Sequence, residues 1–126
     1  MNLLLDTHAL IWALYDPVKL PLVLRKDLEQ SEFSTYFSSI STLEISVKQS
    51  LGKLELNLED LLAEAEKIGL EELPFLGVHA VRMLGLPPVH TDPFDRAIIA
   101  QAVQENLILA TCDKNIQKYP LTQRWQ

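Results

Sequence analysis

Four carboxylates in this 126-residue chain stand where strands give way to helices or where helices begin: Asp6, Glu44, Asp95 and Asp113. Carboxylates gathered in one place repel one another, and their pKa values climb unless a cation is present. Such a group is costly as architecture and useful as a metal site. Donor sets built from oxygen select hard divalent cations, Mg2+ or Mn2+, over zinc. The chemistry they support is hydrolysis at phosphorus, in which water is activated and charge on the phosphoryl group is neutralised by one ion or two.

Each acid also has an ordinary structural reading. Asp6 and Asp113 are good N-caps. Ser41-Thr42-Leu43-Glu44 has the form of a capping box, with Glu44 reaching back to the Ser41 backbone. Asp92-Pro93-Phe94-Asp95 resembles another, with proline at the favoured first helical position. Singly, these acids are more often caps than ligands; the weight falls on their conjunction.

The elements that must position them follow from periodicity. Asn2 to Leu5 is a short apolar run that predicts a buried strand, and Leu10, Ile11 and Leu14 recur at helical spacing after Asp6-Thr7. Pro21 to about Gln30 reads as a second helix, and Thr35 to Ile40 as a second strand. Ser41 begins a helix to about Leu51. An amphipathic helix carries Leu58, Leu61, Leu62, Ala65 and Ile68, capped by Asn57 and stopped by Gly69. Leu70 to Leu73 is a short strand, Val78 to Leu84 a small helix, and Pro87-Pro88 a loop. A helix from Asp92-Pro93 to about Asn106 leads into a strand over Leu107 to Thr111. Asp113 to Lys118 is a turn or short helix, and Leu121 to Trp125 a possible edge strand. This alternation predicts an α/β fold, one domain over residues 1–126, with a central parallel sheet flanked by helices on both faces.

In an open parallel sheet, ligands gather beyond the carboxyl ends of the strands. Asp6, Glu44 and Asp113 each follow a strand, so the topology places them on one edge. Asp95 lies in the first turn of the helix that precedes the fourth strand, and the strand-end rule alone does not bring it there; a bend or a crossing helix is required.

Composition narrows the class further. An apolar fraction of 48% and a charged fraction of 22% are those of a globular protein. No apolar run approaches the length of a membrane span, and Met1 to Asp6 has no basic segment of the kind that opens a signal peptide. The single cysteine, Cys112, leaves no intramolecular disulfide and no cysteine-based zinc site, which fits a reducing cytoplasm; a buried, unreactive thiol is expected. The net charge of −6 argues against broad electrostatic binding of nucleic acid. A nucleic-acid substrate would need bound cations, a local basic patch or a partner.

The acidic motifs resemble those of the PIN domain family. Leu3-Leu4-Leu5-Asp6-Thr7-His8 is similar to its opening motif, Ser41-Thr42-Leu43-Glu44-Ile45 to its second, and Leu109-Ala110-Thr111-Cys112-Asp113 to its fourth. His90-Thr91-Asp92-Pro93-Phe94-Asp95-Arg96-Ala97-Ile98-Ile99-Ala100 is similar to the third, and is the most specific. The resemblance runs in order along nearly the whole chain and is nearest to VapC-like toxins of bacterial toxin–antitoxin pairs. It implies a PIN-like three-layer fold and a Mg2+- or Mn2+-dependent endoribonuclease that hydrolyses RNA phosphodiester bonds by a metal-activated water. It also implies Asp6, Glu44, Asp95 and Asp113 as metal ligands, a homodimer, and a cognate antitoxin that blocks the site. The third motif sits beside the cleft in that family, which would bring Asp95 in.

Around these acids, Thr7 and Thr111 could orient a carboxylate or a water. Asp92 is a fifth acid or, preferably, the N-cap that holds Asp95. Arg96, beside two aspartates, is expected in an ion pair, and Lys48, one turn beyond Glu44, in a helix pair or facing RNA. His8 and His90 lack a partner nucleophile in the sequence. Trp12, Leu14, Tyr15, Val18, Leu20 and Leu22 exceed what one helix face needs for a core and could supply a protein-binding surface. Two rival readings remain: a phosphotransfer or receiver-type domain, which the absence of a second Asp two residues after Asp6 disfavours, and a noncatalytic module whose acids only cap helices.

Overall fold

Three leucines in a row, Leu3 to Leu5, are fully buried and form the central strand β1. In the computed structural model, which describes residues 2–30, 32, 34–121 and 123–125 (Arg124 by its backbone alone), five strands form one sheet in the order β3-β2-β1-β4-β5. The others are β2 (Thr35–Ser38), β3 (Glu71–Leu73), β4 (Ile108–Ala110) and β5 (Gln123–Arg124), and all pairings are parallel. The edge strand expected over Leu121 to Trp125 is thus present as two residues; Thr122 lies outside the described residues. Among the described residues six α-helices connect the strands: α1 (Thr7–Tyr15), α2 (Leu22–Glu29), α3 (Ser39–Ser50), α4 (Leu58–Lys67), α5 (Gly77–Leu84) and α6 (Pro93–Gln104). Short 3-10 turns at Pro17–Lys19 and Ile116–Lys118 complete the chain.

Because side chains alternate along a strand, β1 serves two cores. Leu3 and Leu5 pack with Ala9, Leu10, Leu24, Ile45 and Leu61 from α1 to α4. Leu4 faces the other way, onto Ile98, Ile99 and Ala102 of α6 and Leu109 of β4. The result is a three-layer sandwich, as expected from the alternating elements. Helix α5 packs on α6, and buried His79 joins the two. Its Nδ1 accepts the Leu76 N–H at 2.8 Å, which leaves Nε2 to donate to Glu105 Oε1 at 2.9 Å.

Helix α4 follows its sequence signals: the Asn57 side chain accepts the Asp60 N–H, and Gly69 takes a left-handed φ of 83° after the last turn. At the end of α6 the same left-handed position is filled by Asn106, with φ 54°. Asparagine tolerates that region and a β-branched residue does not. Asn106→Val should therefore lower stability by about 1–2 kcal/mol, with Asn106→Gly close to neutral; urea unfolding of both variants checks this.

Helix α3 departs from its expected start. It begins at Ser39, capped by Ser38, whose hydroxyl accepts the Ile40 N–H. Ser41 is inside the helix and fully buried, so the capping box expected over Ser41 to Glu44 does not form. Ser38 also donates its hydroxyl to Oε1 of buried Gln101, whose Nε2 donates to Leu73 O at 3.2 Å. One glutamine of α6 thereby ties together the carboxyl ends of β2 and β3.

Candidate metal centre

The strand order reverses direction at β1: the chain moves outward to β2 and β3, then crosses back to β4 on the other side. Such a reversal opens a crevice at the carboxyl edge, between the strands that flank it. Asp6 leaves β1 there and Thr111 leaves β4, level with each other, since Leu5 pairs with Ala110 and the Asp6 N–H donates to Ala110 O at 3.1 Å.

Asp95 reaches the same edge for a simple reason. A helix that feeds a parallel strand runs antiparallel to it, so α6, which ends where β4 begins, starts beside the carboxyl end of β4. No bend or crossing helix is needed, contrary to the sequence-based expectation. His90 Nε2 lies 2.8 Å from Asp95 Oδ2 and 3.8 Å from Asp113 Oδ2. One donor atom from each of these three residues falls within 4.8 Å of the others. Oxygen and nitrogen ligands around one small divalent ion span comparable separations, so the donor set fits a cation.

Capping and site roles use different oxygens. Asp113 Oδ1 accepts the N–H groups of Asn115 and Ile116, leaving Oδ2 for the cleft. Asp6 Oδ1 accepts the Ala9 N–H at 2.8 Å, and its carboxylate is also hydrogen-bonded by the Thr111 side chain. Thr111 Oγ1 accepts the Asp113 N–H as well, so one hydroxyl ties Asp6 to Asp113. Asp92 is the N-cap of α6, its Oδ1 accepting from Phe94 and Asp95.

Glu44 sits apart from the His90–Asp95–Asp113 trio. Thr7 donates to its Oε1 at 2.8 Å, and the Lys48 ammonium approaches its Oε2 at 2.7 Å. Since the single Thr7 proton goes to Glu44, the 2.8 Å contact between Thr7 and Ser41 hydroxyls must be donated by Ser41. Buried Ser41 orients Thr7, and Thr7 orients Glu44.

The electrostatics are those of crowded acids. The Asp95 carboxyl is pushed up to about 6 by burial, then by the Asp92 charge, with His90 opposing and Glu44 and Asp113 adding to the rise. Burial raises Asp6, against the Thr111 and Ala9 hydrogen bonds and the His8 charge; Asp113 adds slightly. The Lys48 ammonium is held above its ordinary range, first by its hydrogen bond to Glu44, and it senses Asp92 and Asp95 as well as Glu44. Burial pushes up the thiol of Cys112, which is half-buried rather than buried as expected, and the charge of Asp6 raises it further.

Other sequence expectations resolve differently. Arg96 forms no ion pair among the described residues; it donates to Pro87 O, Met83 O and the Tyr119 hydroxyl. Tyr119 in turn accepts the His90 N–H at 2.9 Å, so Arg96 holds the loop that presents His90. His90 itself had no partner in the sequence, because its neighbours arrive from α6 and from beyond β4. His8 stacks on Trp12 with ring centroids 5.6 Å apart. Of the apolar surplus near α1, Leu20 is buried and Trp12 and Leu14 pack on the core, whereas Tyr15, Val18 and Leu22 are exposed.

Comparison with known proteins bears on the family and the fold. The sequence profile of the PIN domain family matches residues 3–121. The chain superimposes with a TM-score of 0.75 on one from VapBC2 of Rickettsia felis bound to a DNA fragment from its promoter, at 20% identity and full coverage of both chains. DNA-bound VapBC from Salmonella typhimurium gives 0.66 at 21% identity, covering 98% of this chain and 97% of that one. FitAcB from Neisseria gonorrhoeae gives 0.62 at 20% identity, covering 96% and 95%. No protein of curated function matches the sequence significantly.

Proposed function

Since the chain belongs to the PIN domain family, we propose that residues 1–126 act as one metal-dependent endoribonuclease unit, the toxin of a toxin–antitoxin pair. The observation that carries this reading is the approach of one donor atom each from His90, Asp95 and Asp113 to within 4.8 Å of one another. In the proposal, Asp95 and Asp113 hold a Mg2+ or Mn2+ ion, with Asp6 and Glu44 completing the acidic set. A divalent cation there supplies Lewis-acid charge opposite a phosphodiester and acidifies water.

The chain's own residues do the positioning. Thr111 fixes Asp6 relative to Asp113, Asp92 fixes the first turn that carries Asp95, and Ser41 with Thr7 fixes Glu44. These hydrogen bonds hold the carboxylates in place before an ion arrives, which keeps the reorganisation cost low. An RNA backbone approaching this acidic chain depends on charge neutralisation at the site itself.

Partner binding has support from the surface. Leu43, Val47 and Leu51 form an exposed stripe along α3, and Val78, Val81 and Leu84 another on α5. Single exposed apolar residues are ordinary, whereas stripes at helical spacing suit protein contacts. They support a homodimer and a cognate antitoxin, in keeping with the VapC-like motifs. Among the described residues no helix is long and apolar enough to cross a membrane.

The test is direct. Purified protein should cleave RNA in Mg2+ or Mn2+ and stop in EDTA, and Mn2+ should raise its melting temperature. An intact RNA substrate together with an unchanged melting temperature would leave only a noncatalytic module.

A further inference from the structure

One member of the acidic set is already paired with a cation that belongs to the protein. Lys48 Nζ lies 2.7 Å from Glu44 Oε2, while Glu44 Oε1 is taken by the Thr7 hydroxyl. Both oxygens of Glu44 are therefore engaged by donors of the chain. On the other side, the donor atoms of His90, Asp95 and Asp113 lie within 4.8 Å of one another, and Glu44 is not among them. Lys48 is anchored in its place by sequence: it is one helical turn from Glu44 on α3, the spacing that brings side chains together. Its ammonium also senses the charges of Asp92 and Asp95 at the start of α6. About half of its side chain remains exposed to solvent, where a substrate phosphate can reach it.

We infer that Lys48 is the second cation of this centre, so that the site binds a single divalent ion, on the Asp95–Asp113 side, with Lys48 opposite the same phosphate. The inference rests on the metal-dependent reading given above. Two-metal phosphodiesterases hold their ions roughly 3.5–4 Å apart, bridged or flanked by carboxylates. A second ion on Glu44 would sit close to the ammonium that already lies 2.7 Å from Oε2. Like charges at that separation oppose each other strongly where water is partly excluded. An ammonium is also a compact charge with freely rotating donors, well suited to meet a phosphoryl oxygen.

The experiment counts ions rather than turnover. The full chain is titrated with Mn2+ at pH 7.5 by calorimetry, and bound Mn2+ is counted by electron paramagnetic resonance, which also detects coupled ion pairs. Wild type should bind one ion per chain with no coupled signal. Lys48→Met should bind two, with a coupled signal, and Lys48→Arg should remain at one. Lys48→Gln serves in place of Lys48→Met if circular dichroism shows the methionine variant misfolded. Two ions in wild type, or one ion in both uncharged variants, would overturn the role of Lys48 and leave the nuclease reading intact. No Mn2+ bound by wild type would overturn the metal-dependent reading itself, and this inference with it.

Discussion

Asp95→Asn should abolish cleavage while making the metal-free protein more stable. Loss of the carboxylate removes a ligand of the proposed ion, and turnover should fall by roughly 1000-fold, the scale on which a preorganised charge acts at a reacting phosphate or acyl group. The stability change has the opposite sign. In the folded chain the Asp95 carboxyl titrates at about 6 rather than at its ordinary 3.8. Its contribution is thus least unfavourable below 3.8, where both folded and unfolded chains hold the proton. It worsens as pH rises toward 6, because the unfolded chain releases the proton first. Above pH 6 the folded protein carries a penalty of about 1–3 kcal/mol, discounted for the lost contact with His90. Asparagine keeps the shape and removes the charge. Urea unfolding in EDTA should show Asp95→Asn more stable than wild type at pH 7.5 and the two converging at pH 4. A variant that is less stable at pH 7.5 would mean that His90 already neutralises the pocket.

What was legible in the sequence follows from how local each signal is. The apolar run at Leu3 to Leu5, the amphipathic face of α4 and the strand before Thr111 are local signals, and local signals dictate those elements. Ser38, Ser39 and Ser41 illustrate the opposite case. Any of the three can cap a helix by propensity. The choice is made by partners far along the chain: Gln101 takes the Ser38 hydroxyl, and Thr7 takes that of Ser41. Once α3 starts at Ser39, Glu44 lies too deep in the helix to cap it, and its burial beside Thr7 and Lys48 is a site feature.

Asp95 shows a different limit. The strand-end rule counts only residues that follow strands, whereas a helix returning antiparallel to its strand presents its own start at the same edge. Asp92 and Asp95 were therefore within reach of sequence reasoning through topology. His90 was not. It lies in the loop after Pro87-Pro88, and its placement depends on Tyr119, more than 25 residues further on, and on Arg96.

That dependence makes Arg96→Ala the second large effect. The guanidinium donates to Met83 O at the end of α5, to Pro87 O in the loop, and to the Tyr119 hydroxyl that holds the His90 backbone. Hydrogen bonds from a charged donor contribute about 1.5–3 kcal/mol each, less where solvent competes. Loss of all three should cost about 2–4 kcal/mol in urea unfolding. Function should suffer separately, because the freed loop no longer holds His90 against Asp95 and Asp113. At a temperature where the variant remains folded, its Mn2+ affinity should fall by roughly 10-fold or more, the scale seen when groups that orient metal ligands are removed. Arg96→Lys should recover little of either quantity, since one ammonium cannot reach three acceptors that a planar fork spans. Full Mn2+ affinity in a folded Arg96→Ala would show that the loop holds His90 without its guanidinium brace.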